Sequence, residues 1–376
     1  MFPEKINVLR EKNLLRTITD RESAQGPKIR IKGLEYVNFA SNDYLGLAHS
    51  SHLSFMAKEA LDRFGIGAGA SRILGGGTIL HEQLEQQIAH YKEAESAIVF
   101  NSGFAANTGI IPALADDGTV LFSDELNHAS IIDGCRLSRA QTIIYKHKDI
   151  SHLKTLLKDT LAKKRMIITD TVFSMDGDIA PLDALSTLSK EYDAMLYLDD
   201  AHGTGVLGNG RGALRHFNIK PDQYTIQMGT FSKAFGSFGA FVAGSGDLID
   251  WGINNARSFI YSTALPACVI AASRAALELI EKDHSFIKKL WENRDKTARF
   301  LRETGYDIMS SETPIIPIRT GGIENTLRIS QHLFKNGIYA PAIRPPTVKD
   351  PRIRITVTAA HTEEDIQRLI DALSKA

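Results

Sequence analysis

The chain has 376 residues, 43% of them hydrophobic and 23% charged, and 44 Lys and Arg balance 44 Asp and Glu. That length supports one large core or two domains, and a formal charge of zero argues against a nucleic-acid or anionic-membrane partner. Two distant cysteines, Cys135 and Cys268, show neither metal-ligand spacing nor a disulfide framework, which fits a reducing, cytoplasmic setting without a metal site. No stretch is apolar for long enough to span a bilayer, and the N-terminus lacks a charged-then-apolar leader.

Residues Glu4 to Arg16 carry apolar positions at Ile6, Leu9 and Leu14, which predicts a short amphipathic arm. Ile29 to Phe39 alternates about Gly33, as a hairpin does. A polar turn, Ser41 to Leu47, follows. A glycine-rich loop, Gly65 to Gly77, then leads into a helical stripe over Thr78 to Tyr91. No strand immediately precedes that loop, so it reads as a flexible loop near a site rather than a dinucleotide cradle.

From Glu95 the chain alternates strand and helix. Strands are expected at 96–100, 119–122, 142–145, 166–169, 195–198, 224–228 and 239–243, with helices at 150–163 and 183–192 among them. The runs are short and β-branched, as in a parallel sheet covered on both faces. After Pro266 the texture changes to two long helices, 267–281 and 286–304. Strands at 315–318, 337–339 and 352–358 and a closing helix at 362–375 complete the chain. The expectation is an α/β fold. It comprises an N-terminal arm and hairpin (1–40), a large domain with a mostly parallel central sheet (41–265) and a smaller C-terminal α+β domain (266–376).

Chemistry concentrates in two stretches. Asp199-Asp200-Ala201-His202 follows the apolar strand Met195–Leu198, and a carboxylate there lies where open α/β sheets bind ligands. Lys233 lies past the end of the next strand, flanked by Phe231, Phe235, Phe238 and Phe241. Apolar surroundings disfavour the ammonium form and suit an amine to Schiff-base chemistry. Amine, carboxylate and imidazole on one rim match the needs of pyridoxal phosphate. The helix start at Ser102-Gly103-Phe104 offers N–H groups for its phosphate. His128, just after a strand end, reads equally as a ring-stacking imidazole or a helix cap. Gly203 to Gly208 matches a Gly-x-Gly-x-x-Gly fingerprint, but poor helix openers follow it and no acidic residue stands at the expected distance. A nicotinamide-binding α/β protein therefore ranks below the pyridoxal reading.

Several segments in order resemble the α-oxoamine synthases, a group within the fold-type I pyridoxal-phosphate transferases. They are Ser41–Leu47, Asn101–Asn107, His128–Ile131, Val172–Asp178, Asp199–Gly205, Gly229–Phe235 and Tyr261–Thr263. The resemblance implies that Lys233 is the Schiff-base lysine and general base, that Asp199 binds the ring nitrogen, and that His202, with Ser174, binds the phenolic oxygen. It places His128 on the ring, and Gly103, Phe104 and Thr230 on the phosphate. It sends Ser262 and Thr263 to the phosphate of a partner subunit in a homodimer. It assigns Arg354 to the amino-acid carboxylate and Arg16 and Thr347 to the acyl channel, and counts Asn42 and His128 among the substrate-binding residues. Within the group, His202–Gly208 with Gly210–Gly212, and Ala342–Thr347 with Arg352–His361, resemble members that join L-alanine to a pimeloyl thioester with loss of carbon dioxide. Siblings that use glycine usually differ there.

Overall fold

A computed structural model describes residues 2–376 and divides the chain into two compact units. The larger unit is Ser50–Phe173 with Ile179–Ile287. The smaller is the segment up to His49, Ser174–Asp178 and Lys288–Ala376.

The larger unit is built on a seven-stranded sheet. In chain order its strands are Ser96–Phe100 (β1), Thr119–Asp124 (β2), Gln141–Tyr145 (β3), Lys164–Asp170 (β4), Ala194–Asp199 (β5), Thr225–Thr230 (β6) and Ala240–Gly244 (β7). Across the sheet they run β1-β7-β6-β5-β4-β2-β3. Only β7 is reversed; every other pairing is parallel. Strands β2, β6 and β7 are buried along their whole length, as a parallel sheet between helical layers requires. Helices Gly103–Leu114, Ala129–Ser138, Ile150–Asp159 and Leu182–Glu191 make the connections. Ile110, Ile131, Met166, Tyr197 and Val242 belong to one buried core. Parallel strands end together, so the chain brings Asp124, Asp170, Asp199 and Thr230 to one edge of the sheet. Asp170 and Asp199 are direct register partners.

In the smaller unit, Lys28–Ile31 and Leu34–Asn38 form the expected hairpin. Its two-residue turn, Lys32 and Gly33, has φ of 49° and 77°, the left-handed pair that matches strand twist. Ile338–Tyr339 pairs in parallel with the second hairpin strand. A second sheet orders Ile315–Arg319, Arg352–Thr356 and Ala342–Ile343.

The units divide the chain differently from the expected bounds. Pairing of Val37 and Asn38 with Ile338 and Tyr339 puts the N-terminal segment with the C-terminal one. Helix Ala267–Lys282 lies in the larger unit. The arm is a helix, Phe2–Glu11, with no buried residue; Met1 lies outside the described residues. The helix expected over 150–163 stops at Asp159. Helix Ser51–Phe64 was not anticipated, since it buries only Leu53 and Ala60 and so shows no strong stripe. Among the described residues no helix is long and apolar enough to cross a membrane, and no cluster of three metal-ligating side chains occurs.

Candidate active site

A cavity of about 230 Å³ opens at the carboxyl edge of the central sheet. Each wall is supplied by a strand end or the turn after it. Asp199 closes β5 and Ala201 and His202 follow it; Thr230 closes β6, with Ser232 and Lys233 next; Asp170 closes β4; His128 stands in the turn beyond β2. Ser102, Gly103 and Phe104 bring the start of helix Gly103–Leu114 to the same cavity. Lys233, Asp199, His202, His128, Gly103, Phe104 and Thr230 therefore meet in one place.

Asp199 is buried. Its Oδ2 accepts from Asn107 Nδ2 at 2.8 Å and its Oδ1 from the Ala201 N–H at 3.1 Å. Burial pushes its carboxyl above the usual range, while the charge of Lys233 and the Asn107 hydrogen bond oppose the shift. Asp170, beside it, is pushed well up by burial and by the charge of Asp199. Asp170 Oδ2 also accepts the His128 backbone N–H at 2.7 Å. His128 is held below the ordinary imidazole value by partial burial; Asp199 pulls it up and Lys233 pushes it down. A carboxylate at full burial, an amine within its field and two imidazoles thus share one small volume.

The helix-start end of the cavity is equally built. Ser102 caps its helix by accepting from the Ala105 N–H at 3.1 Å, and the first N–H groups of such a helix lack intrahelical partners. Thr230 Oγ1 is fixed by donating to the Gly239 carbonyl at 2.8 Å, with Ser232 Oγ 2.7 Å away. Positive helix end and hydroxyls together suit an anion.

One expectation about Lys233 is corrected. Its flanking phenylalanines do not line the cavity. Phe231, Phe235 and Phe241 are fully buried and pack on one another, with Phe231 centred 5.6 Å from Phe235 and 5.4 Å from Phe241, while Phe238 is exposed. The aromatic run anchors the turn in the core, and the amine faces polar groups. The Gly203–Gly208 segment is also not a dinucleotide fingerprint. It forms turns rather than opening a long helix, and a Cβ on Gly203 or on Gly212 would stand 2.1 or 1.9 Å from the Asp200 carboxylate. Those glycines let the backbone close over Asp200.

Ser262 and Thr263 are not among the residues lining this cavity; Thr263 offers its carbonyl to Asn101 Nδ2 at 2.9 Å. Arg16, Asn42, Ser174, Thr347 and Arg354 belong to the smaller unit. There Arg354 is buried, donating from Nε to the Ser174 carbonyl at 2.6 Å, from one terminal nitrogen to Thr356 Oγ1 at 2.7 Å and from the other to Asn42 Oδ1 at 3.0 Å. Arg16 donates to Thr347 Oγ1 at 2.8 Å across 331 positions of sequence. Asn107, Ser130, Asp170 and Ser232 were not singled out in the sequence. For Asp170 the signal was available, since it ends a strand as Asp199 does.

The chain matches the family model described as aminotransferase class I and II over residues 35–373. It is 46% identical over 377 residues to the 8-amino-7-oxononanoate synthase of Thermoanaerobacter pseudethanolicus, covering 99% of this chain and 95% of that one. Among solved structures it is similar to a serine palmitoyltransferase from S. paucimobilis with a bound PLP–myriocin aldimine. That match has 27% identity and a TM-score of 0.94, over 100% of this chain and 96% of that one. It is also similar to the 8-amino-7-oxononanoate synthase of Francisella tularensis, at 30% identity and a TM-score of 0.77, over 90% and 97% of the two chains.

Proposed function

Since this chain belongs to the aminotransferase class I and II family and is a pyridoxal-phosphate-dependent acyltransferase, we propose that it condenses L-alanine with a pimeloyl thioester. The products would be 8-amino-7-oxononanoate, carbon dioxide and the free thiol, a step of biotin biosynthesis. One observation carries this reading: Lys233 and Asp199 line a single cavity at the sheet's carboxyl edge and act electrostatically on each other.

The donor set fits the cofactor. When bound, pyridoxal phosphate supplies an aldehyde for a Schiff base and a protonated ring that withdraws electrons from the substrate's α-carbon. The Lys233 amine would hold the aldehyde carbon, and once released would take the α-proton as general base. Asp199 would keep the ring nitrogen protonated. His202 would donate to the phenolic oxygen, with Ser174 contributing, and His128 would cover the ring face. The Gly103 and Phe104 N–H groups and Thr230 would take the phosphate. Ser262 and Thr263 would serve the phosphate of a second copy in a homodimer. Arg354, its guanidinium steadied by Asn42, would clamp the alanine carboxylate. The linked pair Arg16 and Thr347 would line the acyl path.

The test is a substrate panel. L-alanine, glycine and L-serine are each offered with several acyl-coenzyme A thioesters and with a pimeloyl carrier protein, and products are identified by mass spectrometry. 8-Amino-7-oxononanoate from alanine and pimeloyl donor is expected. Preference for glycine or serine, or for another acyl chain, would replace the reading with a sibling acyltransferase.

A further inference from the structure

A buried chain of hydrogen bonds joins Asp199 to His128 through residues that the roles above leave unused. Asn107, on helix Gly103–Leu114, is fully buried. Its Nδ2 donates to Asp199 Oδ2 and to Ser130 Oγ, each at 2.8 Å, and its Oδ1 accepts from the Tyr197 hydroxyl at 2.7 Å. Ser130 Oγ lies 2.7 Å from His128 Nδ1, and the Ser130 backbone N–H donates to that same nitrogen at 3.3 Å.

Counting hydrogens fixes every direction in this chain. An ionised carboxylate only accepts, so the NH2 end of Asn107 must face Asp199, and its oxygen must face Tyr197. The Ser130 backbone N–H can only donate, so His128 Nδ1 offers it a lone pair, and the Ser130 hydroxyl, accepting from Asn107, turns its single hydrogen to the same nitrogen. His128 Nδ1 then receives two donors and carries no proton itself. The ring's one proton sits on Nε2.

We propose that Asn107 and Ser130 are positioning residues that hold Asp199 as a carboxylate and His128 as the neutral Nε2–H tautomer. The geometry stands without the substrate assignment; the catalytic consequence rests on the proposed acyl-transfer reaction. A ring in this state presents a donor to the bound molecule, suited to a carboxylate or carbonyl oxygen. Its only lone pair is occupied by Ser130, so it is unsuited to take the α-proton. His128 then does not compete with Lys233 for that proton.

The experiment is nitrogen NMR on histidine-labelled protein with and without pyridoxal phosphate, the His128 signals being assigned by their loss in His128→Gln. In the wild type, Nδ1 is expected in the unprotonated range and Nε2 in the protonated range, unchanged between about pH 6 and 8. Ser130→Ala should mix the two tautomers. It should also lower kcat about tenfold while the KM for the amino acid moves less than about twofold. Asn107→Leu should additionally shift the pH dependence of the bound cofactor's absorbance, which Ser130→Ala leaves in place. If Asn107→Leu does not fold, Ser130→Ala decides alone. A proton on Nδ1 in the wild type, or an unchanged tautomer in Ser130→Ala, overturns the proposal. The expected spectra from a protein that makes no product with alanine would instead count against the substrate reading.

Discussion

At the end of β5 two consecutive aspartates enter two different environments. Asp200 is saturated. Its Oδ2 accepts from Lys92 Nζ at 2.8 Å and from Thr204 Oγ1 at 2.7 Å, and its Oδ1 from Thr171 Oγ1 at 2.7 Å and the Ala213 N–H at 3.2 Å. Lys92 is closed as well, donating to the Arg211 carbonyl at 2.7 Å. Asp199 has one side-chain donor, Asn107, and one backbone donor, Ala201, and the rest of its capacity opens on a cavity. Both carboxylates are buried. Burying a charge is costly unless its valences are filled. Asp200 fills them within the fold and holds the loop that carries His202. Asp199 leaves some for a ligand. The two charges differ in remaining hydrogen-bond capacity, not in burial.

The comparison can be broken from either side. The largest effect is expected at the open side: Lys233→Ala should reduce turnover by roughly a thousandfold or more with little change in thermal stability. A variant with wild-type kcat would remove Lys233 from the chemistry. On the closed side the effects should be reversed. Lys92→Met leaves the Asp200 carboxylate buried without its cation, which should cost about 3–5 kcal/mol of stability, read by denaturant unfolding. The fraction that remains folded should still bind cofactor, and a stability loss below about 1 kcal/mol would mean that the pair is not a clamp.

A pair of histidines sharpens the point. His81 in the larger unit and His361 in the smaller each sit three residues after a threonine whose N–H they accept, Thr78 at 3.1 Å and Thr358 at 3.0 Å. The second nitrogen of each faces a backbone carbonyl, Leu265 or Asn38. Burial, the largest cause in both, brings each imidazole down to about 4. With a folded value below the unfolded one, near 6.5, each contributes full stability above about pH 6.5. That contribution is lost as pH falls toward 4, where the unfolded chain binds protons that the folded chain refuses. For His361 the loss should be about 3 kcal/mol, measured as the difference in unfolding free energy between pH 7 and pH 4 for wild type and His361→Gln. An equal acid loss in the variant would assign it to other groups. The smallest effect is expected at Arg354. Arg354→Lys keeps the charge and loses the fork, so the KM for alanine should rise about tenfold with kcat less affected. An unchanged KM would take Arg354 off the carboxylate.

Much of this was legible in the chain because strands and the residues at their ends are local features. Short apolar runs placed all seven central strands to within a few residues, and Asp199, His202 and Lys233 stood out as polar groups immediately following them. What local reading could not place were residues whose surroundings come from elsewhere. Three of the phenylalanines near Lys233 in sequence, Phe231, Phe235 and Phe241, turn into the core, and Phe238 is exposed. Gly203 to Gly208 carries the spacing of a nucleotide loop but closes on Asp200, because Lys92, over a hundred residues earlier, is buried there. Asn107 had no sequence signal beyond its motif, since its partners Ser130, Tyr197 and Asp199 come from three other segments.

The sequence by itself determined the α/β alternation, the candidate lysine, the acid before the imidazole and the helix start that follows a strand. Each depends on spacing along a few consecutive residues, where the periods of strand and helix act directly. Only the tertiary structure decided how Asp200 is closed within the fold, how Asn107 joins Asp199 to His128, and that the N-terminal hairpin is completed by Ile338 and Tyr339. Those outcomes depend on which distant groups satisfy a buried donor or acceptor, and that choice is made when the sheet and its helices close together.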